Sequence, residues 1–128
     1  MTIHEWKECY EKAERLKLSG WELLKDRERC LNECNGIGAE WMPEWLRMCL
    51  GVCLELFKPA AAIHDLRYSI AELDRWKCDA EFEENCRVLA RDKYSAWNPL
   101  RYMCYLTAKR LRMCLIVGGW TAYGGKSE

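Results

Sequence analysis

Two capping boxes near the N-terminus constrain the fold of this chain more than any other local feature. In each, a hydroxyl side chain is followed three residues later by a glutamate, as Thr2 is by Glu5 and Ser19 is by Glu22. Such a pair satisfies backbone N–H groups that a helix start leaves without partners. Apolar residues recur at helical spacing after each box. The sequence therefore predicts one helix to about Leu18 and a second helix after Ser19.

The remainder of the chain is also predicted to be helical. The second helix should end just before Asn35-Gly36, a common stop signal. Residues 45–57 are mostly apolar, which favours a buried helix, although one side could instead face a lipid interface. Asn98-Pro99 pairs an N-cap with a first-turn proline and opens a last helix. Since no segment is rich in strand signals, we expect an all-α fold of antiparallel helices.

Composition narrows the class of protein. The chain has 128 residues, 50% hydrophobic and 31% charged, a balance typical of one globular domain and not of a disordered chain. Net charge is zero, so a nucleic-acid partner held by a broad basic surface is not expected. No apolar run reaches membrane-spanning length, and the first residues lack an apolar signal core. A cytoplasmic location, or release by a non-classical route, is therefore expected.

The chain contains nine cysteines, so at least one thiol stays unpaired within a monomer. Two pairs have i,i+4 spacing, Cys30 with Cys34 and Cys49 with Cys53. Such pairs could face partner pairs on a neighbouring helix and form two parallel bridges. No C-x-x-C pair occurs, which argues against a zinc ribbon. Because no signal peptide is expected, buried reduced cysteines are favoured over disulfides.

The residues best suited to chemistry are His64, Asp65 and Tyr68, which follow Pro59 in a segment predicted to be helical. Positions i and i+4 share a helix face, so His64 and Tyr68 would line one surface with Asp65 beside them. A neutral imidazole can take a proton from water, and a neighbouring carboxylate can hold a hard cation. Helices also carry His-Asp pairs as solvated polar residues, and taken alone that is the commoner case.

A second acidic residue, Asp79, could join this group only if the chain reverses direction after His64. In one continuous helix the two residues would be about 22 Å apart. If the chain turns near residues 71–74, two antiparallel helices would bring them face to face. Asp74 is a plausible N-cap for the second helix, and a box that starts at Ser69 is an alternative. The apolar pattern slips by one position across this stretch, which favours a break.

Three segments of the chain resemble the phospholipase A2 superfamily. In chain order they are residues 34–38, 59–68 and 78–82. Residues 59–68 resemble the catalytic-helix pattern P-x-x-A-A-x-x-H-D-x-x-Y in loose form, with Ala61-Ala62 as in the disulfide-poor branches. Residues 34–38 resemble the calcium loop with its G-x-G core, and residues 78–82 resemble the D-x-x-F segment of bacterial, fungal and parvovirus-type members. The resemblance covers about residues 34–86. It implies a small antiparallel helical domain with two catalytic helices at its core.

The resemblance implies a role for each catalytic residue. His64 would be the general base for water that attacks the sn-2 ester of a phospholipid. Asp79 would accept a hydrogen bond from the other ring nitrogen, and Tyr68 would hold Asp79. The substrate would be presented at a phospholipid membrane surface, and the sequence names no protein partner.

The resemblance also implies a calcium site. The ion would lie between the Asp65 carboxylate and the backbone carbonyls of Cys34, Gly36 and Gly38. An alternative stays open for this loop, because a glycine just past a helix commonly supplies a left-handed cap.

The single domain, residues 1–128, would then divide into N-terminal helices (1–33), the calcium loop and catalytic helices (34–92), and a C-terminal helix with its tail (93–128). Two other functions remain as alternatives. One is a catalytically inactive, phospholipase-like binding protein. The other is a cysteine-rich helical interaction module, in which His64 and Asp65 would be surface residues.

Overall fold

The computed structural model describes the backbone of residues 1–34, 53 and 55–118, with side chains as far as residue 114. Every regular element in this part of the chain is helical, which confirms the all-α prediction for it. The elements are α1 (Ile3–Leu16), a 3₁₀ helix (Trp21–Lys25), α2 (Arg27–Glu33), α3 (Lys58–Ile70), α4 (Arg75–Lys93) and α5 (Pro99–Gly118). Cys53, Glu55 and Leu56 are also helical and precede α3. The predictions for residues 35–52, which include Gly36 and Gly38, and for the tail after residue 118 fall outside the described residues.

The predicted start of α1 is confirmed, and its end comes slightly earlier than expected. The Glu5 backbone N–H donates to Thr2 Oγ1 at 3.1 Å, and the Thr2 N–H donates to Glu5 Oε1 at 2.9 Å, which completes the capping box. The helix ends at Leu16 because Lys17 adopts a left-handed conformation, with φ 53°. This turn directs Leu18 into the core, where it is buried.

The second predicted capping box is wrong. Ser19 does not cap a helix, and the chain instead forms the short 3₁₀ helix and then α2, whose N-cap is Asp26. The Ser19 polar groups bond to α4: its N–H donates to Asn85 Oδ1 at 2.9 Å and its hydroxyl donates to Glu81 Oε2 at 2.7 Å. These tertiary bonds replace the local cap, because a serine hydroxyl that could accept a backbone N–H as an N-cap can instead donate to a carboxylate.

Gly20 explains how the loop between α1 and the 3₁₀ helix approaches α3 so closely. Its φ is +86°, a conformation that glycine adopts without steric cost. A Cβ atom at this position would lie 2.9 Å from Cγ2 of Ile63 and 3.1 Å from Nη2 of Arg67. The absence of a side chain therefore lets this loop lie directly on the helix that carries His64.

The chain reverses between α3 and α4, as the functional hypothesis required. α3 ends at Ile70 because Ala71 is left-handed, with φ 57°, and its N–H donates to the Arg67 carbonyl at 2.8 Å. α4 begins after Asp74, whose carbonyl accepts the N–H groups of Lys77 and Cys78 at 2.9 and 3.0 Å. Asp74 is thus the N-cap residue by position. The alternative box at Ser69 is excluded, since that residue lies within α3.

The core lies where α3 packs against α1, the 3₁₀ helix, α2 and α4, and it continues to α5, which packs on α4. Pro59 lies in the first turn of α3, and Asn98 Oδ1 accepts the Leu100 N–H at 2.9 Å at the predicted start of α5. Three consecutive alanines of α3, residues 60–62, are buried and let the neighbouring elements approach closely. None of the described helices is long and apolar enough to span a lipid bilayer.

Candidate active site

The centre of the site is a hydrogen-bonded pair formed by His64 of α3 and Asp79 of α4. The distance between His64 Nε2 and Asp79 Oδ1 is 2.8 Å. His64 is 6% exposed and Asp79 is 1% exposed, so the pair is shielded from bulk water. Burial of a carboxylate costs free energy unless its oxygens accept hydrogen bonds, and the bond to His64 is one of those that Asp79 forms. The turn at Ala71 is what brings the two residues together.

Tyr68 completes the group. Its hydroxyl donates to the same Asp79 oxygen at 2.5 Å, and its ring centroid lies 4.2 Å from that of His64. Burial, followed by the bond to Asp79, raises the pKa of Tyr68 above its ordinary value. The hydroxyl therefore stays protonated at neutral pH and keeps its role as a donor. The structure brings together all three residues that the sequence predicted for catalysis.

The arrangement fixes which nitrogen of His64 can act as a base. An ionised carboxylate only accepts hydrogen bonds, so His64 donates to Asp79 from Nε2. In the neutral ring, the proton then resides on Nε2, and Nδ1 is the nitrogen with a lone pair. The Phe82 ring, 5.3 Å from the imidazole between centroids, packs against the histidine and limits its rotation. The imidazole is therefore held in one orientation. Asp79 binds Nε2, and Nδ1 carries the lone pair that can accept a proton.

Further polar contacts hold α4 against α3 and against the loop between α1 and the 3₁₀ helix. Arg67 forms a bidentate ion pair with Glu81, with Nε–Oε1 and Nη2–Oε2 distances of 3.0 Å each. Buried Asn85 forms two bonds with the Ser19 backbone, one to its N–H and one to its carbonyl, both at 2.9 Å. Arg67, Glu81 and Asn85 were not predicted from the sequence. Arg67 and Glu81 lie seven positions on either side of Asp74, so placing the turn first would have paired them.

Asp65, the predicted metal ligand, lies on α3 three residues after Ala62, which contacts Cys34 at the end of α2. Asp65 is half-buried, whereas Cys34 is fully buried and its thiol donates to the Ala62 carbonyl at 3.5 Å. The pKa of Cys34 is raised by its interaction with Cys30, by burial and by the negative charge of Asp65. The thiol contact places Cys34 against α3 at Ala62, three residues before Asp65. Gly36 and Gly38, the other predicted ligands, lie outside the described residues.

Of the calcium ligand set that the resemblance implies, the structure describes Asp65 and Cys34. Within the described residues, no group of three or more His, Cys, Asp or Glu side chains could hold a metal ion. The ligand set implied by the resemblance does not need such a group, because it combines one carboxylate, that of Asp65, with three backbone carbonyls. Oxygen donors of this kind are those that calcium prefers.

The eight cysteines in the described part are free thiols, as the reduced alternative predicts, and all but Cys114 are buried. Cys53 faces Cys104 with 3.6 Å between the sulfurs. Cys30 and Cys34 interact with each other. The i,i+4 pair on α2 therefore does not face a second pair within the part of the chain that the structure describes. Burial leads the causes that raise the pKa of Cys104 to about 12.

A surface groove of about 490 Å³ lies elsewhere, between α1 and the start of α3. Its lining includes Glu5, Cys9 and Lys58 but not the His64 pair. The groove is therefore separate from the candidate active site.

No protein-family model matches the chain, and neither a curated protein nor a solved structure matches it. The site is accordingly defined by the geometry of the chain itself.

Proposed function

We propose that this protein is a calcium-dependent hydrolase of the phospholipase A2 type, which cleaves the sn-2 ester of phospholipids. The observation that carries the proposal is the 2.8 Å contact between His64 Nε2 and Asp79 Oδ1 in a buried site. A histidine whose one nitrogen is held by an acid, and whose other nitrogen can accept a proton, is the arrangement that a water-activating base requires.

The proposed reaction uses both ring nitrogens of His64. As a water molecule attacks the ester carbonyl carbon, Nδ1 of His64 accepts one of its protons. The imidazolium that forms is stabilised by the carboxylate of Asp79, which Tyr68 holds in place through its hydroxyl. Collapse of the tetrahedral intermediate breaks the bond to the glycerol oxygen, and Nδ1 returns its proton to that leaving oxygen. The products are a fatty acid and a lysophospholipid.

The proposal includes a calcium ion held by the Asp65 carboxylate and the backbone carbonyls of Cys34, Gly36 and Gly38. Its support is the position of Asp65, one residue after the base and three residues after Ala62, whose carbonyl accepts the Cys34 thiol at the end of α2. When bound, such an ion supplies positive charge that polarises the ester carbonyl and stabilises the oxyanion. The phospholipid surface is the proposed substrate and partner.

One structural observation counts against the interaction-module alternative. That alternative places His64 on the surface, whereas the residue is 6% exposed and bonded to a buried acid. An inactive relative would share the same geometry, so an activity assay must distinguish it from an enzyme.

The experiment is release of fatty acid from vesicles of phospholipid that carries a label in the sn-2 chain. We expect labelled fatty acid and unlabelled lysophospholipid in calcium, and no release in chelator. Calcium binding without any release from a range of headgroups would favour the inactive relative. Release that continues in chelator would contradict the calcium-dependent mechanism.

A further inference from the structure

Exposed apolar side chains are concentrated at one end of the described chain. Of the eight large apolar side chains that are exposed in the described part, six lie between residues 97 and 113. They are Trp97, Leu100, Tyr102, Met103, Leu106 and Met113. Trp97, just before α5, is 94% exposed. Single exposed apolar residues need no explanation, but a cluster of this kind marks an interaction surface.

The cluster forms one face of α5. At 3.6 residues per turn, Leu100, Met103, Leu106 and Met113 fall within about half of the helix circumference. The opposite side of the helix, with Cys104, Ala108 and Leu111, is buried in the core. α5 is therefore apolar on both sides, and only one of these sides is covered by the described part of the chain. We call the uncovered side, together with Trp97, the α5 face.

The charged side chains of α5 and of the residues just before it are all basic. Residues 93–118 include five basic residues and no acidic residue, although the whole chain has zero net charge. The basic residues are Lys93, Arg101, Lys109, Arg110 and Arg112. Lys109 and Arg110 are exposed and project within the same half of the helix as Met103 and Leu106. The α5 face therefore combines apolar and aromatic side chains with positive charge.

We propose that the α5 face is the surface by which the protein docks on membranes rich in anionic phospholipid. Helices that lie in a membrane interface bury an apolar face at the boundary, and their Lys and Arg side chains attract anionic headgroups. Tryptophan and tyrosine suit that boundary because each has an apolar ring and one polar atom. The choice of lipid as partner rests on the proposed function, but docking does not itself require catalysis.

Charge complementarity favours lipid over a second copy of the chain. A symmetric dimer through this face would bring Lys109 and Arg110 of one copy towards the same positive face of the other. An anionic membrane offers the opposite charge over the whole face. α5 also packs on α4, the helix that carries Asp79, and the Arg112–Glu83 ion pair at 3.0 Å links the two helices. Docking through α5 would thus hold the catalytic helices at a fixed position relative to the lipid.

The test is flotation of the full-length protein with vesicles of phosphatidylcholine alone or mixed with phosphatidylglycerol. All samples contain chelator and carry the His64→Gln substitution, so that no hydrolysis occurs. We expect binding to the mixed vesicles, weakened by salt, and much weaker binding to phosphatidylcholine alone.

Two pairs of variants locate the binding surface. Lys109→Glu with Arg110→Glu should lower the partition coefficient at least about 20-fold, whereas the charge-matched control Arg27→Glu with Arg29→Glu should stay within about 2-fold. Leu106→Gln should lower the partition coefficient roughly 5-fold. The matched control is Ile3→Gln, which replaces an exposed aliphatic side chain of the same size on α1 and should leave the partition coefficient unchanged. Since all these positions are exposed, the fold should persist, and circular dichroism checks this.

Equal binding by the α5 variants and the controls would overturn the proposal, as would absence of binding to the mixed vesicles. A change in oligomeric state on ultracentrifugation, with no change in vesicle binding, would show that the face joins two copies. Docking through α5 by a wild-type protein that releases no fatty acid would reject the proposed function alone. If the α5 substitutions change neither hydrolysis nor vesicle binding, docking through α5 is rejected and the proposed function stands.

Discussion

The Nε2 atom of His64 lies 2.8 Å from Oδ1 of Asp79, although the two residues are 15 positions apart in the sequence. In a continuous helix they would be separated by about 22 Å. Ala71, in a left-handed conformation with φ 57°, ends α3 and allows α4 to return alongside it. A single turn between two helices therefore creates the candidate active site.

The orienting role assigned to Asp79 predicts a smaller loss than removal of the base. Asp79→Asn preserves shape but removes the charge that stabilises the imidazolium. We expect kcat to fall roughly 10- to 100-fold, less than for His64→Gln, because Asp79 holds the base and does not transfer the proton. Steady-state hydrolysis of phospholipid vesicles measures this, with circular dichroism as the folding check. A loss equal to or greater than that of His64→Gln, in a folded variant, would require a different base.

Asp65 is predicted to couple calcium binding to activity. Asp65→Ala removes the only side-chain carboxylate in the proposed ligand set, so calcium binding and hydrolysis should be lost together. Calorimetry measures the first and fatty acid release the second. Glu14→Ala, which removes an exposed carboxylate on α1, serves as the control and should leave both unchanged. Calcium affinity that survives in Asp65→Ala would place the ion elsewhere.

The ion pair between Glu5 and Lys58 predicts a pH-dependent contribution to stability. The Lys58 ammonium lies 2.9 Å from Glu5 Oε2 and, with the Thr2 contacts, lowers the pKa of Glu5 from 4.5 to about 2. The folded state thus favours the ionised form. The stabilisation should be complete above pH 4.5 and decline as the pH falls towards 2.

Glu5→Gln provides the test of that contribution. Urea unfolding should show the variant to be slightly less stable than the wild type near neutral pH, with the difference shrinking in acid. The effect should be small, because both side chains are about one-third exposed. A difference that grows as the pH falls would contradict the assignment.

The buried thiols are predicted to resist alkylation in the folded protein. Burial leads the causes that raise the pKa of Cys9 and of Cys78 to about 11, so the reactive thiolate is scarce near neutral pH. Half-buried Cys114 should react before them. Mass spectrometry after timed alkylation measures the order. After denaturation without reductant all nine cysteines should react, and a smaller number would revive the bridged interaction module.

Local signals predicted several helix boundaries whose partners are local, but not the α1 end at Lys17 or the α2 cap at Asp26. The Thr2 capping box, the Asn98 cap and the turn before Asp74 depend on atoms a few residues apart, and each was found as expected. Ser19 has the same local signal, but its polar groups bond to Asn85 and Glu81 on α4. No local pattern reveals that choice, because the competing acceptors are more than 60 positions away.

Much of the candidate site could likewise be predicted, once the turn was assumed. His64 and Tyr68 share a face by helical spacing, and Asp79 reaches them because its helix returns beside theirs. The Arg67–Glu81 ion pair was not predicted. Two charged residues 14 positions apart can pair only when the chain turns back between them. The catalytic roles of His64, Tyr68 and Asp79 are proposals, and so is the calcium site, whose Gly36 and Gly38 lie outside the described residues.

The most direct test compares wild-type protein with His64→Gln for sn-2 fatty acid release, each in calcium and in chelator. We predict release by the wild type in calcium alone, and at least about a 10³-fold loss in the folded variant, the loss expected when an essential base is removed. Equal release by both proteins in calcium would contradict the assignment of His64 as the base, and with it the central claim about this site.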